Sequence, residues 1–117
     1  LAEAHAELGN LEPAQRYAEL VLAQEEPHSH PYALYTLGTV YKQRGDWERS
    51  WLSYDHCRQM AETNDDTYLL AFAWRALGEV YVATQQQASA DAAFAQALEL
   101  FQRLNIAEEV RRTEELM

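Results

Sequence analysis

Apolar residues recur along this 117-residue chain at intervals of three and four, the spacing that places side chains on one face of an α-helix. Ala, Leu, Glu and Gln, which lose little freedom in a helix, are abundant, and β-branched residues are few. The sequence therefore predicts an all-α fold without strands. The predicted helices cover residues 1–8, 11–24, 32–44, 47–62, 67–84, 88–104 and 106–117.

The predicted helix ends carry recognisable signals. Asn10, Asp46 and Asn105 each precede an apolar-periodic run, where a short polar side chain caps the unpaired amides of a first turn. Gly9 and Gly45 supply the left-handed residue that ends a helix at low cost. The connections are short, so neighbouring helices are expected to be antiparallel.

A pattern of large and small residues repeats along the chain. One copy places four residues on one helical face and three on the next helix: Trp74, Leu77, Gly78, Tyr81, then Ala90, Phe94, Ala97. The copy forty residues earlier reads Leu34, Leu37, Gly38, Tyr41, then Ser50, Tyr54, Cys57. A copy truncated at its start reads Leu1, Ala2, His5, then Ala14, Ala18, Val21. In all three, the first small residue of the second helix comes nine positions after the Tyr or His.

This arrangement resembles the tetratricopeptide repeat, whose pattern is Trp-x2-Leu-Gly-x2-Tyr followed by Ala-x3-Phe. The resemblance implies an α-α superhelix, a right-handed solenoid of antiparallel helix pairs in which glycine lets the partner helix approach. It divides one domain, expected to be a fragment of a longer chain, into repeats over about 1–30, 31–66 and 67–104. The first repeat is truncated, and a capping helix at 105–117 closes the stack.

Two departures from the family pattern carry expectations of their own. The last two copies are 40 residues apart rather than the usual 34, which implies longer helices flanking Asn64. Gln85 and Gln86 stand where the preceding copy has Gly45 and Asp46, so we expect a looser turn there.

Composition narrows the function and the cellular context. Nine Lys and Arg against nineteen Asp and Glu give a net charge of −10, and no third of the chain is positive, which disfavours nucleic acid as a partner. Apolar runs are far too short to cross a bilayer. The single Cys57 forms no internal disulfide and favours a cytoplasmic location. The preference for Arg over Lys suggests a genome of high GC content.

The sequence offers little that resembles catalytic or metal chemistry. His28 and His30 are the best metal candidates, but no third ligand has the right spacing, so two solvated histidines are the favoured interpretation. Cys57 is expected to be a buried residue that contributes to packing. The acidic run ending at Asp66 is expected to cap a helix rather than bind calcium. We therefore expect neither an enzyme nor a cofactor.

The resemblance implies that the first helix of each pair lines a concave peptide-binding groove. Residues offset from the packed stripe are the candidates to face a ligand: Tyr32, Tyr35, Thr39, Lys42, Phe72, Arg75 and Glu79. Aromatic side chains there would anchor a peptide at a small entropic cost. Arg75 with Lys42 could hold a carboxylate, or Arg75 could pair with Glu79. For Tyr32 and Phe72, packing between repeats is the alternative.

The leading hypothesis is a non-catalytic scaffold that binds a peptide or protein, with a basic or neutral partner favoured by the acidic charge. One subclass of the family binds chaperone C-termini through Lys and Asn, and this chain does not reproduce that clamp. The corresponding positions hold Tyr35, Thr36, Thr39, Phe72 and Ala76. The alternative is a regulatory or sensor segment of a larger bacterial signalling or transcription protein, acting through homodimerisation at the exposed N-terminal repeat end.

Overall fold

A computed structural model describes residues 11–23 and 30–117, and this part of the chain is helical without strands. The helices are α1 (Leu11–Ala23), α2 (His30–Gln43), α3 (Trp47–Thr63), α4 (Thr67–Ala83), α5 (Gln87–Arg103) and α6 (Ala107–Leu116). The all-α prediction is confirmed, and each of these helices ends within two residues of its predicted bounds. The helix predicted at 1–8 lies outside the described residues. In the described part, no helix is both long and apolar enough to span a membrane.

The chain divides into two compact units, Leu1–Cys57 and Arg58–Met117. In the first unit α1 packs on α2 through a core that includes Ala18, Ala33 and Leu37. In the second unit α5 packs on both α4 and α6. One core cluster of this unit contains Ala71, Ala97, Leu100 and Phe101, with Leu70, Phe72, Trp74, Ile106 and Val110 packed against it.

Two glycines allow an aromatic ring to lie directly on a helix backbone. A Cβ atom at Gly38 would lie 2.6 Å from Cδ1 of Tyr54, and one at Gly78 would lie 2.5 Å from Cε1 of Phe94. Both rings are buried, so neither has room to withdraw from an added methyl group. The predicted role of glycine in close helix approach is therefore confirmed within each unit. The predicted burial of Cys57 is confirmed as well, since it is 0% exposed.

Four turns between consecutive helices share one geometry. Each has a residue of positive φ two positions after the helix ends: Gly45 (77°), Asp65 (54°), Gln85 (61°) and Asn105 (58°). The next residue donates its N–H to a carbonyl five residues earlier, at 2.9 Å for Asp46 and 2.8 Å for Gln86. The expectation of a looser turn at Gln85 is therefore wrong, because its hydrogen bond is as short as that of the glycine turn.

Helix caps follow the sequence signals at some positions only. Asp46 accepts from the N–H of Arg49 at 3.2 Å, and Asp66 accepts from the N–H of Leu69 at 3.1 Å, so both predicted caps are confirmed. Asn105 is not a cap, because it occupies the left-handed position of its turn and Ile106 stands at the N-cap of α6 without a side-chain hydrogen bond.

The backbone repeats every twenty residues. Helices α3, α4 and α5 each contain 17 residues, and three residues separate each from the next helix. The 40-residue sequence repeat is therefore two such helix-turn steps. This confirms the prediction of longer helices flanking Asn64.

Candidate functional site

The candidate binding residues lie on α2 and α4, beside the stripe through which each helix packs on the helix that follows it. On α2, the Tyr32 side chain is 52% exposed, whereas Tyr35 is half-buried. The Tyr35 ring lies 5.3 Å from the ring of Tyr54, centroid to centroid, at an interplanar angle of 60°. The buried Tyr54 ring, which lies over Gly38, therefore also packs against the ring of Tyr35.

Thr39 lies inside the α2–α3 interface rather than on its surface. It is 8% exposed, and its Oγ1 lies 3.1 Å from the carbonyl oxygen of Tyr35 and 2.7 Å from the hydroxyl of Tyr54. A threonine hydroxyl has one proton, so when it donates to the carbonyl, the Tyr54 hydroxyl donates to it. Thr39 thus holds Tyr54 in place, and Lys42 lies half-buried in the last turn of the same helix.

Phe72 on α4 belongs to a run of three rings. Its centroid lies 5.0 Å from that of Phe101 in an edge-to-face arrangement, and 4.9 Å from that of Tyr68. Phe72 therefore packs against rings of its own predicted repeat, 67–104. Tyr68, which is 51% exposed, was missed by the sequence reasoning. Its position four residues before Phe72, on the same helical face, is the signal that could have identified it.

Arg75 is enclosed by aromatic rings and a carboxylate. Its guanidinium carbon lies 4.8 Å from the ring centroid of Phe72 and 5.0 Å from that of Phe101. Its two terminal nitrogens lie 3.5 and 3.4 Å from the two carboxylate oxygens of Glu109. The side chains of this ion pair are 13% and 12% exposed, so water screens the attraction only weakly. The carboxylate that Arg75 contacts is thus supplied by α6.

Three further contacts belong to this polar cluster. Nη1 of Arg75 lies 3.4 Å from Oγ1 of Thr113, which in turn donates to the carbonyl oxygen of Glu109 at 2.8 Å. Arg112 also contacts the Glu109 carboxylate, at 3.4 Å. Sequence reasoning missed Glu109 and Thr113 because they lie 34 and 38 residues from Arg75, and no local pattern reports such a contact. Glu79, the last candidate on α4, is half-buried.

The described residues contain no group of three His, Cys, Asp or Glu placed to hold a metal ion. His28, one of the two histidines considered for a metal, lies outside them, as does His5. His30 is half-buried at the start of α2. The candidate residues that are at least partly exposed carry the aromatic rings of Tyr32, Tyr35 and Phe72 and the single charges of Lys42 and Glu79.

Comparison with known proteins agrees with the repeat pattern. The family model described as tetratricopeptide repeat matches residues 29–103, which runs from just before α2 to the last residue of α5. A search of curated proteins finds no significant match to the chain.

Proposed function

The chain belongs to the tetratricopeptide-repeat family, and from this we propose that it is a non-catalytic scaffold binding a peptide or protein. Each unit is considered by itself: the candidate surface of the first unit is on α2, and that of the second unit is on α4. Tetratricopeptide repeats generally mediate protein–protein interaction and are typically non-catalytic modules. The observation that carries the proposal is the half-exposed ring of Tyr32 on a helix whose neighbouring positions are fixed by packing. A surface ordered before binding loses little entropy when a ligand arrives.

On α2, we assign ligand contact to Tyr32, Tyr35 and Lys42. The support of Tyr35 by the Tyr54 ring restricts its motion, and Thr39 acts indirectly by holding the Tyr54 hydroxyl. Tyrosines in such positions supply large contact areas with few rotatable bonds. This assignment gives Thr39 a positioning role instead of a direct contact.

On α4, we assign ligand contact to Phe72 and Glu79, with Arg75 as a positioning residue. The guanidinium of Arg75 lies over the Phe72 ring and is held by the Glu109 carboxylate. Arg75 therefore fixes the orientation of Phe72, and Tyr68 extends the same aromatic surface.

The favoured partner is an extended segment of neutral or positive charge. The chain carries a net charge of −10, and Glu79 is one of the contacts proposed on α4. Complementary charge accelerates association more than it strengthens the final complex. A basic segment is therefore expected to bind faster than an acidic segment of the same shape, and added salt should reduce the difference.

Isothermal titration calorimetry of the full chain tests the proposal. The probes are extended peptides rich in apolar residues, each made in a Lys form and a matching Glu form. We expect a Lys form to bind, and we expect Tyr32→Ala to weaken its binding about tenfold, as loss of an aromatic anchor does. The matched control is Tyr17→Ala on α1, because Tyr17 is 51% exposed and Tyr32 is 52% exposed.

The two substitutions separate the proposed face from general surface effects. Equal losses of affinity in both variants, or unchanged affinity in Tyr32→Ala, would contradict the assignment of this face. Tighter binding of the Glu forms would contradict the proposed partner charge. Circular dichroism of both variants checks that the helices are retained.

The alternative role is a regulatory segment of a larger bacterial signalling or transcription protein that acts through homodimerisation. It is supported by the 40-residue spacing, which the backbone realises as regular twenty-residue steps. Light scattering over a range of concentrations tests the dimer, and a monomer at every concentration would contradict it.

A further inference from the structure

A carboxylate of the protein itself lies beside the candidate surface of α4. Glu109 of α6 contacts the guanidinium of Arg75 through both carboxylate oxygens, and the same guanidinium lies over the ring of Phe72. We propose that Arg75 forms a carboxylate-binding site, that Glu109 occupies it, and that this occupation excludes acidic ligands from α4. Where it concerns a ligand, this proposal rests on the function proposed above for α4.

The contact has the arrangement with which arginine binds a carboxylate. Nη1 of Arg75 lies 3.5 Å from Oε1 of Glu109, and Nη2 lies 3.4 Å from Oε2, so that two nitrogens meet two oxygens side by side. The planar guanidinium offers this paired arrangement to a carboxylate of any origin. A carboxylate carried by a ligand would form the same pair of contacts if that of Glu109 were absent.

Other groups cover the remaining sides of the guanidinium. Its central carbon lies 4.8 Å from the ring centroid of Phe72 and 5.0 Å from that of Phe101. Nη1 also lies 3.4 Å from Oγ1 of Thr113, and the Arg75 side chain is 13% exposed. A ligand carboxylate would therefore compete with Glu109 for the same two nitrogens of Arg75.

Glu109 has the advantage over a carboxylate that arrives from solution. Its side chain is 12% exposed and is held in place by the packing of α6 on α5, so its contact with Arg75 costs no entropy of association. Arg112, which also contacts Glu109, is 56% exposed and lies closer to Glu108, at 2.8 Å rather than 3.4 Å. The charge of Arg75 is thus compensated by α6, and an acidic ligand gains little from approaching it. This agrees with the neutral or basic partner proposed above.

Glu109→Ala opens the proposed site to a small probe. The substitution removes the terminal CH2 and carboxylate groups of the side chain, which together match acetate in size and charge. We expect about 200 mM sodium acetate to raise the melting temperature of this variant by several degrees more than the same concentration of sodium chloride does. The reason is that a ligand binding the folded chain stabilises it, whereas the two salts screen charge equally.

Two control variants show whether acetate acts at Arg75. Glu108→Ala removes the same groups from a neighbouring side chain that is 63% exposed. In this variant and in the parent, the difference between acetate and chloride measures the general effect of acetate on stability. Adding Arg75→Met to Glu109→Ala removes the cation that would bind acetate, so the additional stabilisation by acetate should disappear.

The charge preference of α4 tests the consequence for ligands. The Lys and Glu forms of the peptides described above are titrated into the parent, Glu109→Gln and Glu108→Gln, and each variant lacks one negative charge. In Glu109→Gln, we expect the affinity for the Glu form relative to the Lys form to rise about tenfold, because Arg75 can now bind a ligand carboxylate. In Glu108→Gln, the ratio should stay within about twofold of that of the parent. A purely structural role of Glu109 would weaken both forms alike and leave the ratio unchanged.

Two results would overturn the proposal. One is a response of Glu109→Ala to acetate no larger than that of Glu108→Ala. The other is an unchanged affinity ratio in Glu109→Gln, which would leave the proposed function intact if the parent binds the Lys form. Conversely, a response to acetate confined to Glu109→Ala, with neither peptide form bound by the parent, would support the carboxylate site and contradict the proposed function.

Discussion

Arg75 illustrates how a charged residue becomes part of the interior of a unit. A nearly buried cation is costly unless a charge and hydrogen-bonding groups compensate it. Here Glu109 supplies the charge, Thr113 supplies an additional oxygen, and the faces of two phenylalanine rings cover the guanidinium. These neighbouring groups compensate the buried charge of Arg75. Removing one partner of the ion pair should therefore lower the free energy of unfolding by more than the intact pair contributes to it.

Glu109→Gln is expected to destabilise the protein by about 2 to 3 kcal/mol, because it leaves the Arg75 cation without its carboxylate. The matched control is Glu108→Gln on the same helix. Its side chain is 63% exposed and contacts Arg112 at 2.8 Å, so the change should cost less than about 0.5 kcal/mol. Urea denaturation measures both free energies of unfolding.

A double variant tests whether the loss of stability in Glu109→Gln comes from the uncompensated charge of Arg75. Replacing both partners, as Arg75→Met with Glu109→Leu, removes both charges and should return stability to within about 1 kcal/mol of the parent. Equal effects of Glu109→Gln and Glu108→Gln would show instead that the contact contributes nothing beyond an exposed ion pair.

At the scale of elements, two helix pairs, α2–α3 and α4–α5, are each held by a ring lying over a glycine. Tyr54 over Gly38 is fixed further by its hydrogen bond to Thr39, and Ser50 donates to the carbonyl oxygen of Gly38 at 2.7 Å. In the second unit Phe94 lies over Gly78 with no polar handle on its ring. In both arrangements, the two helices can approach closely because the glycine has no Cβ atom.

Gly78→Ala is expected to destabilise the protein by about 1 to 3 kcal/mol, since the new Cβ atom would overlap the Phe94 ring. The helical preference of alanine opposes this loss by about 1 kcal/mol. Adding Phe94→Leu to Gly78→Ala provides the room that the methyl group needs and should recover part of the loss. Thermal and urea unfolding measure both, and a stability gain in the single variant would contradict the proposed role of the ring.

Helix positions could be predicted from the sequence because their causes are local: periodicity, glycine and short polar residues near the ends. The glycine contacts could be predicted because Gly38 and Gly78 occupy the same position in the two complete copies, each after a leucine and three residues before a tyrosine. The role of Asn105 could not, because the same residue type serves both at a helix start and at a left-handed turn position. The contact of Arg75 with Glu109 depends on how α6 docks, which no local pattern encodes.

At the scale of the whole molecule, two electrostatic effects oppose each other: attraction within local ion pairs and repulsion arising from the net negative charge. Ion pairs such as Arg103–Glu99 and Arg111–Glu115 span one turn of an exposed helix and contribute only a few tenths of a kcal/mol each. The net charge of −10 acts against compactness throughout the chain. We therefore expect mutual repulsion to outweigh these pairs at low ionic strength.

The melting temperature should rise by a few degrees when sodium chloride increases from about 20 mM to about 500 mM, because screening weakens the repulsion. Differential scanning calorimetry measures the change. Potassium chloride at equal ionic strength should give the same rise, since screening does not depend on the cation. A melting temperature that falls with added salt would mean that attractive pairs dominate.

The twenty-residue backbone step and the forty-residue side-chain pattern limit how the length of this chain can vary. Removing one helix with its turn would keep the twenty-residue backbone step. It would, however, bring two helices of the same kind together, so that their aromatic-bearing faces would meet. Removing two consecutive helices with their turns would join equivalent positions of two repeats. Each aromatic ring would then still face a small residue on the neighbouring helix. We therefore expect the chain to tolerate duplication or loss in units of two helices, and we expect an insertion of any other size to fit only within a turn.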